Sequence, residues 1–497
     1  MTTEEMRVLE LNSQYLGVTL SMLMQNAGRE VARIIVDTES IEGKRVTILC
    51  GLGGNGGDGM VAARYLQEAG AIVSVYLVGS KDRIASSDAQ TNWSILENLD
   101  TIPNEALKTE SAIKSCRAIK DCDILIDALL GFGVHSTLRE PIRTAVKAFN
   151  DSPAKKYSID LPTGVDSDTG KIHGDAVKAD VTITLHAEKT GLSKASEHAG
   201  EVHVVSIGIP LEASYICGPG DLSLFVGPRK ATSHKGDFGR ILVIGGSDVY
   251  SGAPTLTGLA ALRTGADLVS VLAPEPVAST IRNYSPNLMV TSTETTIFSP
   301  ESLKTALLLV ESNDVIALGP GLGRATKTRD AVIQLLQEID KTKCLVIDAD
   351  GLKCLAGSGL NLDSDRAVLT PHWGELGVIL EKDLGTTHDP EERLEYAKEA
   401  AELFNAMILL KGHQDIIASP DNRYRFNRTG VPAMTVGGTG DVLTGITAAL
   451  LARKSAFQSA CAAAFISGRA GEIASKKLGN HLMATDCIEH IHSAMES

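Results

Sequence analysis

Apolar residues in the first two hundred positions gather into short unbroken runs, separated by stretches with a helical repeat. Val46–Cys50, Ile72–Val78, Ile124–Ala128, Tyr157–Asp160 and Val181–Leu185 read as strands buried on both faces. Between them, Met60–Ala69 and Pro141–Phe149 read as helices. Leu23, Ala27, Val31, Ile34 and Ile35 recur on one helix face, so the series opens on an amphipathic helix. Such alternation predicts a mostly parallel sheet with helices on both sides.

The pattern breaks after Val202–Ile207. Gly and Pro then accumulate without a sustained period, which places a linker near residues 212–228. A second alternating series follows. Its strands are Arg240–Ile244, Leu268–Leu272, Val315–Leu318, Leu345–Asp348, Ala367–Leu369 and Ala406–Leu410. Its helices are Thr255–Thr264, Arg329–Glu338, Pro390–Phe404 and Val442–Ala452. A chain of 497 residues exceeds one ordinary core. Two three-layer α/β domains are therefore expected, at residues 1–215 and 222–497.

Composition narrows the function. With 43% apolar and 22% charged residues the chain is globular, not disordered. A net charge of −14 argues against nucleic acid or an anionic membrane surface as partner. It leaves room for a small anion held at a helix start. The eight cysteines form no C-x-x-C pair, so reduced thiols in a cytoplasm are expected. The start Met1-Thr2-Thr3-Glu4-Glu5 is not a secretory signal, and no apolar run approaches the ~18 residues of a membrane span. A cytoplasmic homo-oligomer is the expectation.

Chemistry first shows after the strand ending at Cys50, in Gly51-Leu52-Gly53-Gly54-Asn55-Gly56-Gly57-Asp58-Gly59. A glycine loop between strand and helix suits a phosphate, or is simply a tight turn. A dinucleotide reductase would also need an acid closing the second strand. That strand ends Val78-Gly79-Ser80-Lys81. Two more loops, Asp127-Ala128-Leu129-Leu130-Gly131-Phe132-Gly133-Val134 and Asp160-Leu161-Pro162-Thr163-Gly164-Val165-Asp166, follow strands of the same sheet and should converge on one crevice. Asn55, Asp127, Asp160 and Thr163 would then share a volume of oxygen ligands suited to an alkali or alkaline-earth cation. Asp127 and Asp160 could instead only cap loops.

These three segments together resemble the NAD(P)H-hydrate epimerase domain over about residues 1–215. The resemblance implies a Rossmann-like fold and a potassium ion at Asn55, Asp127 and Thr163. It implies that hydrated nicotinamide nucleotide meets Gly54, Asn55, Gly56, Gly57 and Asp58, then Gly131, Phe132, Gly133, Val134, His135, Ser136 and Thr137, and Asp160. Phe132 stands where family members usually carry a small residue, and near His135 they usually have a glycine.

In the second series, Gly437-Gly438-Thr439-Gly440-Asp441 precedes the helix Val442–Ala452. Small residues there let backbone N–H groups point at a phosphoryl group, and the helix dipole adds to their pull. Asp441 is placed to accept a proton from an attacking hydroxyl. No G-x-x-x-x-G-K-[ST] occurs, which excludes a P-loop enzyme. Other loops fall where strands end: Gly245-Gly246-Ser247, Gly319-Pro320-Gly321-Leu322-Gly323, Asp348-Ala349-Asp350, Thr370-Pro371-His372-Trp373-Gly374-Glu375 and Leu410-Lys411-Gly412-His413. Lys411 suits a phosphate-facing cation or a solvated one. Asp348, Asp350 and Glu375 suit Mg2+ held through water, or a structural role.

This constellation resembles the ribokinase-like NAD(P)H-hydrate dehydratases over about residues 225–497. The resemblance implies ADP- or ATP-dependent dehydration of the S epimer of NADH or NADPH hydrate (NADHX, NADPHX). Ala253, Gly321, Gly323, His372 and Asp441 would meet the hydrate. Lys411, Gly412, His413, Gln414, Asp415, Gly438, Thr439 and Gly440 would face ADP or AMP. Proline is common in the family where Trp373 stands.

The two halves then make one repair enzyme, an isomerase joined to a lyase. Asp160 is the expected acid/base of epimerisation, and Asp441 the base of dehydration. Two alternatives stay open from the residues alone. The second half could be a kinase of a vitamin precursor or sugar beside a reductase, or the first half could be a non-catalytic binding module.

Overall fold

The protein is described by a computed structural model over residues 1–133 and 136–496. Val134 and His135, both expected in the first binding loop, lie outside the described residues. The chain divides into two compact units, Met1–Ala213 and Ser214–Ser497.

In the first unit the strands are β1 (Arg45–Cys50), β2 (Ile72–Val78), β3 (Asn104–Leu107), β4 (Ile124–Ala128), β5 (Lys155–Ile159), β6 (Val181–Leu185) and β7 (Glu201–Val205). They form one parallel sheet in the order β3-β2-β1-β4-β5-β6-β7. This is the Rossmann-like order with one further strand, and its direction of growth reverses between β1 and β4. The loops leaving those two strands therefore border one crevice.

The second unit holds β8 (Arg240–Ile244), β9 (Leu268–Ala273), β10 (Met289–Ser292), β11 (Val315–Leu318), β12 (Cys344–Ile347), β13 (Ala367–Leu369), β14 (Met407–Leu410), β15 (Asp415–Ala418) and β16 (Tyr424–Asn427). Their order is β10-β9-β8-β11-β12-β13-β14-β15-β16, with the β14–β15 and β15–β16 pairs antiparallel. Here the reversal lies between β8 and β11. The period of two divides each strand between the layers. Ile241 and Val243 join one core with Val315 and Ala317. Leu242, Ile244, Ile316 and Leu318 join the core on the opposite face. Both faces are apolar because helices cover both, which is why these strands read as unbroken runs.

Several expectations need correction. The first helix is Thr3–Tyr15, not the amphipathic segment found at Leu20–Thr38. The stretch read as a linker is largely structured. Cys217 N–H donates to Phe426 O at 2.9 Å, and Gly218 and Pro219 are the N-cap and first residue of the helix Pro219–Ser223. Proline is favoured at that first position because the missing N–H would have no partner there. Both glycine motifs also belong to helices more than the sequence suggests. One helix runs Gly54–Glu68 and another Thr439–Leu451, so Asn55 to Gly57 and Gly440 to Asp441 lie in first turns, with Asp58 just beyond. Glycine's poor helix propensity hid this. Packing explains Gly56, whose Cβ would stand 2.1 Å from Gly51 O.

The helices Gly252–Thr264 and Thr439–Leu451 cross where Gly445 has no side chain, and a Cβ there would lie 2.1 Å from Thr257 O and 2.8 Å from Ala260 Cβ. Gly445→Ala should therefore cost about 1–3 kcal/mol by overpacking. Gly227, with nothing within 4 Å of its Cβ position, should accept alanine within about 0.5 kcal/mol. Denaturant midpoints of the two variants check this, and equal midpoints would refute it.

Candidate active sites

The helix Gly54–Glu68 starts at Gly53, which offers no side-chain cap. Its first N–H groups are left for a ligand. Beside this start lies a cleft of about 340 Å³ lined by Gly53, Gly54, Asn55, Asp58, Leu130, Gly131, Phe132 and Asp160. Asp127 stands behind it, fully buried at the end of β4. Its carboxylate accepts from Thr163 N at 2.8 Å, Thr163 Oγ1 at 2.7 Å, Ser158 Oγ at 3.0 Å and Leu129 N at 3.1 Å. Burial pushes Asp127 up to about 6 although these donors pull it back. The Asn55 amide is different: both its polar atoms are buried and have no partner among the described residues.

Asp160 follows β5 in a left-handed conformation with φ 66°. Lys189 Nζ donates to its Oδ1, Leu185 N–H joins at 3.1 Å, and its other oxygen faces Gly131. Lys189 is 1% exposed, lies under the Phe132 ring and was not visible as a site residue in the sequence. Neither was Glu10, which reaches the same cleft from the helix Thr3–Tyr15. Ser136 and Thr137 are exposed and do not line the cleft, and neither do Gly56, Gly57 or Gly133.

In the second unit, the loops after β8 and β11 meet. Gly246 N–H donates to Pro320 O at 2.9 Å. A Cβ on Gly321 would touch Ala253 at 3.4 Å, and one on Gly323 would lie 3.7 Å from Ser247. Gly323 N–H donates to Asp350, Asp350 pairs with Lys353 at 2.9 Å, and Lys353 lies 3.9 Å from Glu375. Glu375 caps the backbone of His372, and Lys411 bridges in parallel to His372. A chain of contacts through Asp350, Lys353 and Glu375 thus links Gly323 to His372 and Lys411.

Lys411 Nζ donates to Asp348 Oδ1 at 2.8 Å, and Thr444 Oγ1 donates to Oδ2 at 2.7 Å. Burial alone would raise Asp348, but the charge and hydrogen bond of Lys411 hold it below its ordinary value. Asp441, in the first turn of the uncapped helix Thr439–Leu451, is pushed up to about 7 by burial and then by Asp348. A Cβ on neighbouring Gly440 would lie 3.4 Å from Lys411 Nζ. A phosphoryl group at this helix start would meet free N–H donors, a lysine and a carboxyl that titrates near neutrality.

The same helix start opens into a cavity of about 420 Å³, lined by Lys411, Gly412, His413, Asp415, Thr439 and Gly440. Gln414 lines a different cleft and Gly438 is not on the wall. Residues missed in the sequence complete it, among them Thr429, Val431, Met434 and Gly468. They come from a turn and a distant helix with no local signature. Trp373 occupies the first position of the helix Trp373–Leu380, where proline is also favoured. Its ring stacks edge-on with Tyr396 and its Nε1–H donates to Gly385 O at 3.0 Å, leaving His372 as N-cap.

Residues 241–493 match the family described as NAD(P)H-hydrate dehydratase. Residues 20–191 match the family described as YjeF-related protein N-terminus. The bifunctional NAD(P)H-hydrate repair enzyme Nnr of Methanothermobacter thermautotrophicus is 41% identical, over 100% of this chain and 95% of its own. That of Pyrobaculum aerophilum is 41% identical, over 99% and 97%. A solved structure, the hypothetic protein SMU.573 of Streptococcus mutans, is 25% identical with a TM-score of 0.51, covering 56% of this chain and 98% of its own. No described helix is long and apolar enough to cross a membrane. Identity at this level across both units shows that the chain belongs to the bifunctional NAD(P)H-hydrate repair enzymes.

Proposed function

We propose that the units divide the repair between them. The second removes water from the S epimer of NADH or NADPH hydrate at the expense of ADP or ATP, and the first interconverts the R and S epimers. The observation that carries the reading is Asp441 in the first turn of an uncapped helix whose start lies beside Lys411. The hydrate bears a hydroxyl on C6 beside the ring nitrogen, and hydroxide is a poor leaving group. Asp441 takes the proton of that hydroxyl as its oxygen attacks the donor's terminal phosphorus. The ring nitrogen then expels phosphate, and the loss of a proton from C5 restores the reduced nicotinamide. ADP ends as AMP and ATP as ADP, in both cases with free phosphate.

Lys411 faces the transferring phosphoryl group, with the N–H groups of Thr439 and Gly440. Ala253, Gly321, Gly323 and His372 hold the hydrate, and the cavity beyond Gly412, His413 and Asp415 takes the nucleotide. Asp348, Asp350 and Glu375 do not form a resident Mg2+ cage. Each faces a lysine, and no group of three metal-binding side chains occurs among the described residues. Magnesium would come with the donor's phosphates.

In the first unit, Asp160 is an acid/base group at C6. The residues suit K+: the Asn55 amide, without a partner among the described residues, lines the cleft, and Asp127 and Thr163, which hold the cleft's Leu129 and Leu130 by their backbone N–H groups, add hard oxygen ligands. When bound, such a cation supplies positive potential beside the nucleotide's phosphates.

Asp441 acts ionised, so kcat/KM for dehydration should climb with pH through about 7 and level above it. Asp441→Asn should lose at least about 10²-fold while still binding nucleotide. A variant within a few-fold of the parent would leave Asp441 as a helix cap only. Replacing potassium by lithium should slow epimerisation and leave dehydration of pure S hydrate unchanged. Equal epimerisation rates in both salts would return Asn55, Asp127 and Thr163 to a structural role. Given a mixture of epimers, the parent should consume both, whereas Asp160→Asn should stall with R hydrate left over. Chromatography of the residue reads the outcome, and complete consumption at the parental rate would count against Asp160.

A further inference from the structure

Three carboxyls face the cleft of the first unit, those of Glu10, Asp58 and Asp160, with Asp88 further along its wall. Asp160 has its counterion in Lys189, which is also held by Leu185 O at 2.6 Å and Thr184 Oγ1 at 3.2 Å. Glu10 and Asp58 have neither a hydrogen bond nor an ion pair among the described residues. Asp58 is only 8% exposed and forms part of the wall, whereas Glu10 is half-buried at the cleft's edge on a longer stem. Burial pushes Glu10 up to about 7, Asp160 adds to this, and Lys189 and Arg7 oppose it. Asp58 is raised by burial, by Asp160 and by Glu10.

The helix that carries Glu10 is tied to the segments that carry its opposite number. Thr190 N–H donates to Met1 O at 3.1 Å, one residue from Lys189. Thr3 Oγ1 meets Ser167 Oγ at 2.6 Å, and Thr3 N–H donates to Asp168 at 2.8 Å. Glu10, Asp160 and Lys189 therefore belong to one frame. A carboxyl without partners on a ligand cleft is a cost to the fold unless it serves the ligand. The unpartnered Asn55 amide on the same cleft independently marks where that ligand sits.

We propose that Glu10 is the second proton-transfer residue of the first unit, working across the cleft from Asp160. The inference rests on the epimerase reading of that unit. Inverting C6 without loss of material needs two proton movements. Asp160 takes the proton of the C6 hydroxyl, the C6–N1 bond breaks, and its electron pair moves onto N1. Glu10 gives its proton to N1, leaving an aldehyde and an enamine. Rotation about C5–C6 presents the other face of the aldehyde. N1 attacks that face, its proton returns to Glu10, and Asp160 returns a proton to the oxygen. Every proton is restored, and neither oxidant nor nucleotide is consumed. Two carboxyls with unlike surroundings are what such a division requires.

The test uses the full chain, NADH hydrate and potassium. Glu10→Gln should slow epimerisation by about 10²-fold or more, with KM within a few-fold and dehydration of pure S hydrate as in the parent. The pH profile separates a proton donor from a structural part. In the parent, epimerisation should fall as pH rises through about 7, because the donor is then deprotonated. Glu10→Gln should abolish this fall. Asp58→Asn should keep it, whatever its rate. The proposal is overturned by a Glu10→Gln rate near the parent's, or by a fall that survives Glu10→Gln and vanishes in Asp58→Asn. If the parent itself interconverts no epimers, the epimerase reading fails and takes the proposal with it.

Discussion

The ion pair between Lys411 and Asp348 joins the ends of β14 and β12, and Thr444 ties it to the helix that follows the glycine motif. Asp348 is 1% exposed, so removing Lys411 would leave a buried carboxylate uncompensated, at a cost of about 3–5 kcal/mol. The pair also sets the electrostatics around it. With Asp348 held ionised, a second negative charge close by becomes expensive. Asp441, already raised by its own burial, bears that expense as well and moves to about 7. The same lysine stands beside the helix start, where a Cβ on Gly440 would lie 3.4 Å from its Nζ, so one residue meets the strand end, the buried carboxylate and the helix.

The first unit reaches a similar solution with different parts. A helix starts without a side-chain cap, a buried lysine pairs with an aspartate at a strand end, and another carboxyl nearby is left to titrate. In both units the sheet's reversal of growth brings the loops together. The topology supplies the crevice, and in each unit a lysine pairs with the aspartate at a strand end while burial raises a second carboxyl nearby.

Strands were legible in the sequence wherever both faces are buried, as in Ile241–Ile244. The antiparallel pair β15 and β16 was not, because Tyr424 and Arg425 sit on a sheet edge and break the apolar run. The helix Thr3–Tyr15 was missed because its buried face mixes Met6, Val8 and Leu9 with Asn12 and Ser13. Among candidate site residues, Asp127, Asp160 and Asp441 stand out in the sequence because each lies at a strand end or helix start beside glycines. Lys189 and Glu10 carry no such mark. Each matters only through residues distant in the chain, and no local pattern encodes that proximity.

His372 closes the first turn of its helix with a ring nitrogen. Its Nδ1 accepts from Gly374 N–H at 3.1 Å and from Glu375 N–H at 3.3 Å. That nitrogen is therefore bare, and in a neutral ring the proton sits on Nε2, away from the backbone. Serine, aspartate or asparagine would cap the helix as well. Selection for a folded chain alone cannot distinguish these residues from histidine at this position. What the imidazole adds is a second pole: gripping the backbone on one side obliges the ring to offer a donor on the other, where Glu375 Oε1 stands 3.5 Å away, so here helix capping writes the polarity of the neighbouring surface.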